Sequence, residues 1–184
     1  DEYLPMDTVK VRYMVQNIGT ATATAPWQDR LYLFKNGTRI TLATREETES
    51  LEAGAEVERE ITCTIPELIA LSGDVSFVVK VDSNDAIVEL EERETDTELL
   101  EETPNAILGK RLYLSFVTDT VKENASSVRF YAKRSGEVTD PVTVTFSATG
   151  ATSAVTYPES LTIKAGTNVA TGIVIPIDNQ LVDG

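Results

Sequence analysis

The chain has 184 residues, 41% hydrophobic and 25% charged, which is ordinary for a folded protein and too apolar for disorder. Its net charge is −14, it has no histidine, and Cys63 is its one cysteine. These totals exclude His-based triads, His-ligated metals, a neutral-pH imidazole shuttle, an intramolecular disulfide and a Cys-cluster zinc site.

The charge is unevenly spread. Residues 1–102 carry the whole excess, with 23 acids against 9 bases, whereas residues 103–184 balance 7 against 7. The asymmetry predicts two units with different surfaces. An acidic first half repels phosphate backbones and anionic lipid, so nucleic acid is not an expected partner. No apolar run approaches the ~20 residues of a membrane span. The opening Asp-Glu-Tyr is not a signal peptide, as expected of a mature protein or a piece cut from a longer one.

Alternation dominates the chain and helical periodicity is nearly absent. "TVKVRYMV" aligns Val9, Val11, Tyr13 and Val15 on one face. A loop of small residues and threonines follows Asn17-Ile-Gly and leads through Pro26-Trp27 into "LYLFKNGTRITL". There Asn36-Gly37 predicts a two-residue type I′ hairpin pairing Leu33 with Ile40 and Leu31 with Leu42. "EVEREITCTI" aligns Val57, Ile61, Cys63 and Ile65, with Arg59 interrupting the face and expected near its rim. "DVSFVVKV" aligns Val75, Phe77, Val79 and Val81, and "VDSNDAIVEL" reads as a turn and a strand.

Residues 82–102 hold ten acids and one base, Arg93. They read as a charged edge strand or extended segment, and "ELLEE" could form a helical turn. "TPNAILGK" is the predicted linker, punctuated by Pro104 and Gly109. Further strands follow in "RLYLSFV", "SSVRFYAKR", "PVTVTFSA" with Val142, Val144 and Phe146 in phase, "SLTIKAG", and "NVATGIVIPID" with Ile173, Ile175 and Ile177 on one face. Alternation of this kind is expected where one sheet face meets a core and the other meets water. The predicted fold is all-β: two tandem β-sandwiches, residues 1–103 and 110–184, joined by a linker at 104–109; the family resemblances below imply that they are immunoglobulin-like.

"VRYMVQNIGTATATAPWQDRLYLF", "LEAGAEVEREITCTI" and "VSFVVKVDSNDAIVELEE", in that order, resemble the bacterial CARDB domain over roughly residues 8–95. That resemblance implies an adhesion-related immunoglobulin-like module whose small-residue loop crosses between sheets. "VKENASSVRFYAKRSG", "VTVTFSATG" and "LTIKAGTNVATGIVIPIDNQLVDG" resemble a Calx-beta domain over 110–184, lacking its final strand. Glu123, Asp178-Asn179 and Asp183 match that family's acidic positions, whereas its usual Asp-Tyr is replaced by Thr156-Tyr157.

Calcium is the one cofactor these residues could hold, and none is required. Asp119, Glu123, Asp140, Asp178 and Asp183 are acids in predicted strand-end loops, where a Ca²⁺ ion takes 6–8 oxygens. As ordinary turn acids they would hold nothing. Trp27, Tyr32 and Phe34 form a candidate glycan contact, since Tyr32 and Phe34 alternate with Leu31 and Leu33 and project from the other face. Aromatics in such positions also pack against neighbouring strands. Cys63 lies in phase with an apolar face and reads as a buried hydrophobe. Asn36-Gly-Thr and Asn124-Ala-Ser match the glycosylation sequon, and the hairpin turn alone accounts for the first. The thirty acids make close carboxylate pairs by chance, so no acid and nucleophile stand out for a glycosidase.

The expected function is non-catalytic: an extracellular adhesion or spacer region of a larger bacterial surface or secreted protein. The alternative is a glycan-binding accessory region of a surface polysaccharide-utilisation system. Expected partners are other domains of the same polypeptide and a cell-surface protein or glycan. The expected location is extracellular or the cell surface, with outer-membrane anchoring through the parent protein.

Overall fold

The computed structural model describes residues 1–87, 105–150 and 154–178. These residues form strands and turns with no helix among them, and the chain divides into a first unit, Asp1–Gly109, and a second, Lys110–Gly184. The architecture is all-β with several sheets, an immunoglobulin-like sandwich.

In the first unit, β1 (Glu2–Tyr3), β3 (Trp27–Lys35), β4 (Thr38–Glu47), β6 (Gly73–Lys80) and β7 (Ala106–Leu108) form a sheet in the order β1-β7-β6-β3-β4. β2 (Thr8–Gln16) pairs antiparallel with β5 (Glu56–Thr64) to form the second sheet. The small-residue loop after β2 therefore crosses from one sheet to the other. Asn17 fixes its path: the amide Nδ2 donates to the carbonyls of Ala21 (2.9 Å) and Leu51 (2.8 Å), and Oδ1 accepts from the Gly19 N–H. A side-chain amide can replace backbone partners where a strand ends. Small neighbours let the loop lie against Leu51 with little side-chain entropy to lose.

The inward faces of both sheets bury Val9, Leu31, Leu33, Ile61, Cys63, Ile65, Val75 and Leu108 in one core. Val15, Trp27 and Leu51 form a second cluster. Val9 on β2 and Ile61 and Cys63 on β5 alternate with polar neighbours, as a two-layer sandwich requires. Cys63 is a packed apolar residue, and burial pushes its thiol pKa up.

The β3–β4 hairpin turns at Asn36 (φ 48°) and Gly37 (φ 77°), both left-handed as a type I′ turn demands. Leu33 opposes Ile40 as predicted. Leu31, however, opposes Ala43 instead of Leu42, because a bulge lies between Leu31 and Tyr32. The bulge lets consecutive residues Leu42 and Ala43 both pack on the core.

Two other expectations are corrected in this unit. Arg59 is not at a rim but buried beneath the sheet, paired with Glu47. The predicted linker also contains β7, which pairs antiparallel with β6 and parallel with β1, so residues 105–109 close the first unit's sheet. Alternating Ala106 and Leu108 supply the core positions it fills. Residues 82–85 form the expected turn. The acidic stretch beyond residue 87, including "ELLEE", lies outside the described residues.

In the second unit, β8 (Leu112–Phe116), β9 (Val128–Arg134), β11 (Val155–Thr156) and β13 (Val169–Pro176) make a sheet in the order β11-β13-β9-β8. β10 (Val142–Thr145) pairs antiparallel with β12 (Ser160–Ile163) to make the other. Phe130 is the centre of the core between them, stacked on Phe116 (centroids 5.5 Å apart) and edge-on to Phe146 (5.2 Å). Ile173, Ile175 and Ile177 do share a face, but it is the outward one, and all three are exposed. The inward position of β13 is Gly172, which lies opposite Phe130 in the ladder.

Gly172 is glycine for want of space. A Cβ there would lie 2.3 Å from Phe130 Cζ and 2.9 Å from Leu161 Cδ1. Gly172→Ala should therefore cost about 1–3 kcal/mol through overpacking. The midpoint of the second unit's thermal transition would fall, and adding Phe130→Leu would recover part of the loss. An alanine variant as stable as the parent would show that the ring moves aside freely.

Candidate functional site

Tyr32 and Phe34 project from the outer face of β3, as expected, but both are half-buried and the Arg39 guanidinium lies 5.8 Å from the Phe34 centroid. Trp27 departs from the expectation. It lies on the inward face, 2% exposed, with its indole N–H donating to Asp29. The period-2 rule places Trp27 with Leu31 and Leu33, not with Tyr32. The three aromatics therefore do not share a face.

Trp27 instead belongs to a buried polar network between the two sheets. Asp29 is fully buried. One of its oxygens accepts from the Trp27 N–H (3.1 Å) and the Asp82 backbone N–H (3.1 Å), and the other from the Tyr13 hydroxyl (2.7 Å). Glu47, 1% exposed, pairs with Arg45 (2.7 Å) and Arg59 (2.8 Å). Arg45 also donates to the Glu60 carbonyl of β5. Burial pushes the Glu47 carboxyl above the usual carboxylate range, against the pull of Arg59 and Arg45, and the Asp29 charge adds to the rise. Burial and the Asp29 carboxylate likewise raise the Tyr13 phenol. Such a network fixes how the sheets face each other.

The predicted calcium ligands separate by strand parity. Asp119 and Glu123 follow β8, and Asp178 follows β13, at one end of the sheet. Asp140 follows β9, at the opposite end. Asp183 lies outside the described residues. Consecutive antiparallel strands put successive loops at alternate ends, and the seven residues of β9 span roughly 20 Å at ~3.3 Å each. Among the described residues no group of three or more acids gathers as metal ligands. Excess calcium against chelator should therefore leave the unfolding midpoint unchanged. A bound ion at ~100 times its dissociation constant would add about 2.7 kcal/mol and raise it by several degrees. Such a rise would show that the acids do assemble.

Asp140 borders a different feature, a cleft of ≈ 290 Å³ lined by Lys110, Arg111, Leu112, Glu137 and Val142 among others. Behind it lies Arg134, 6% exposed. Its guanidinium donates to the carbonyls of Asp140, Val138, Lys164 (3.1 Å) and Thr167 (2.9 Å). One buried cation thus ties the β9–β10 connection to the β12–β13 turn. The sequence held the signal: in "VRFYAKR", Arg134 is in phase with Val128, Phe130 and Ala132.

A family model described as CARDB matches residues 1–98, more than half of the chain. The chain belongs to the CARDB family. Its CARDB region covers β1 to β6, with the two facing sheets and the loop that crosses between them. CARDB domains are immunoglobulin-like and occur in extracellular or surface proteins, and are typically non-catalytic. The match stops short of β7, which nonetheless completes the CARDB unit's larger sheet. The Calx-beta likeness of the second unit rests on its quoted segments alone. No curated protein matches the chain. No helix among the described residues is long and apolar enough to cross a membrane.

Proposed function

We propose that the chain is a non-catalytic adhesion or spacer region of a larger bacterial surface or secreted protein, with a CARDB unit followed by a Calx-beta-like unit. Membership of the CARDB family carries this reading, because that domain type is associated with bacterial adhesion-like and extracellular regions. The first unit's polar interior supports it. Its buried charges are spent on one another, holding sheet to sheet, and fold alone does not assign a reaction.

The test is adhesion itself. The chain is displayed on a non-adherent bacterium and challenged with immobilised host-matrix proteins, abiotic surfaces and a glycan array. Retention on protein or surface, or a gain in capture by a binding head fused beyond the chain, is the expected result. Glycan binding lost on Tyr32→Ala or Phe34→Ala would favour the polysaccharide-utilisation reading instead. Neither retention, nor capture, nor glycan binding would sink both.

A further inference from the structure

Among the described residues, the second unit's core is covered at β9 and β12 and exposed toward β8 and β10. β8 ends the four-stranded sheet, and β10 ends the two-stranded sheet that faces it. Leu112, Leu114 and Phe116 stand on the inward face of β8, in register with Arg134, Ala132 and Phe130 of β9. Phe130 and Ala132 are 3% and 0% exposed, yet the three β8 residues are 51%, 51% and 52% exposed. The facing sheet shows the same gradient: Ile163 on β12 is fully buried, whereas its partner Val142 on β10 is 37% exposed. Core-facing residues thus lose their cover toward one side in both layers. Among the described residues, the free edges of β8 and β10 border that gap.

We infer that the gap is filled by β8 of a second copy of the chain. The space calls for an extended strand with apolar side chains at every second position, hydrogen-bonded to the edge of β10. β8 has that pattern, and among the described residues its own outer edge is free. A two-fold axis running along the strands, between the layers, sets β8 of each copy beside β10 of the other. Both layers then continue across the axis, and both sets of Leu112, Leu114 and Phe116 are covered. The arrangement is isologous, so it closes at two copies.

Charge agrees with this pairing. Arg134, the last residue of β9, donates to the carbonyl of Asp140, just before β10 begins. β8 runs antiparallel to β9, so β8 and β10 both start at that end. Lys110 of one copy therefore comes beside Asp140 of the other, twice in the dimer. Both side chains are exposed. The second unit's balanced charge adds no net repulsion of its own.

Sedimentation of the full chain across the micromolar range tests the pairing, with Leu114→Glu and Ile173→Glu as variants. Ile173 is comparably exposed, at 46%, but on the outward face. The parent and Ile173→Glu should dimerise reversibly. Leu114→Glu should weaken association about 30-fold or more, as loss of a central interface residue does. A parent that stays monomeric, or a dimer that Leu114→Glu spares, overturns the inference. If Leu114→Glu misfolds, Lys110→Glu and Asp140→Lys decide. Each alone should self-associate more weakly than the parent, and their equimolar mixture should regain the lost affinity. A mixture no tighter than either variant alone overturns the pairing.

Discussion

Arg59→Leu should destabilise the first unit by about 3–5 kcal/mol, the cost of removing one partner of a buried ion pair. The Arg59 guanidinium lies 2.8 Å from Glu47, and that carboxylate is only 1% exposed. Without it Glu47 keeps Arg45 alone, while the Asp29 charge still opposes ionisation. The expected readout is a lower midpoint for one of two transitions in chemical unfolding, with the second unit's transition unmoved. The double variant Arg59→Leu, Glu47→Leu should recover much of the loss, because burying neither charge costs less than burying one.

The deficit should also depend on pH with a definite sign. The folded-state Glu47 pKa is already raised by burial, and losing Arg59 raises it further. A raised carboxyl contributes stability that is complete below the unfolded pKa, and that stability is lost as pH rises through the folded value. The variant should therefore be closest to the parent in acid and furthest from it at neutral pH. A deficit constant across that range would mean that Arg59 acts by packing alone.

Arg134→Met is the second large effect, also about 3–5 kcal/mol, and it falls on the other unit. Methionine fills similar space but leaves the carbonyls of Val138, Asp140, Lys164 and Thr167 without their charged donor. Bonds to a charged donor are worth ~1.5–3 kcal/mol each before the strand-end loops relax toward water. Arg134→Lys should rescue little, since a single ammonium cannot span carbonyls that a planar fork reaches on two sides. Hydrogen exchange should show the amide of Gly166, which donates to Val138, losing protection first. An unchanged midpoint for Arg134→Met would mean that solvent already satisfies these carbonyls.

The fold was legible wherever alternation and turn chemistry agreed. Asn36-Gly37 fixed a hairpin and its first pair, and the phases of β2, β5 and β6 placed the core. What alternation could not show was a departure from itself. The bulge at Leu31–Tyr32 inserts a residue without breaking the apolar pattern, because Leu42 and Ala43 are both acceptable to the core. Ala106-Ile-Leu was read as a linker because three residues next to Pro104 and Gly109 are too few to establish a period. The two buried arginines were visible in a different way. Arg59 and Arg134 each stand in phase with the apolar residues of their strands, and a cation in that phase is a reason to look for its partner. Parity, which the order of strands already contained, separates two of the expected metal ligands: Asp119 and Asp140 flank a single strand and so lie at its opposite ends.

β1 and β7 give the first unit a mechanical direction. They run parallel, Glu2 beside Ile107 and Tyr3 beside Leu108, tied by the Ile107 N–H to the Asp1 carbonyl (2.9 Å) and the Gly109 N–H to the Tyr3 carbonyl (2.8 Å). A pull that separates residue 1 from residue 109 slides these strands past each other and loads both bonds together. A pull across a hairpin such as β3–β4 would instead open its bonds one at a time. Tension along the chain thus meets this unit in shear, the direction in which a sheet gives way last.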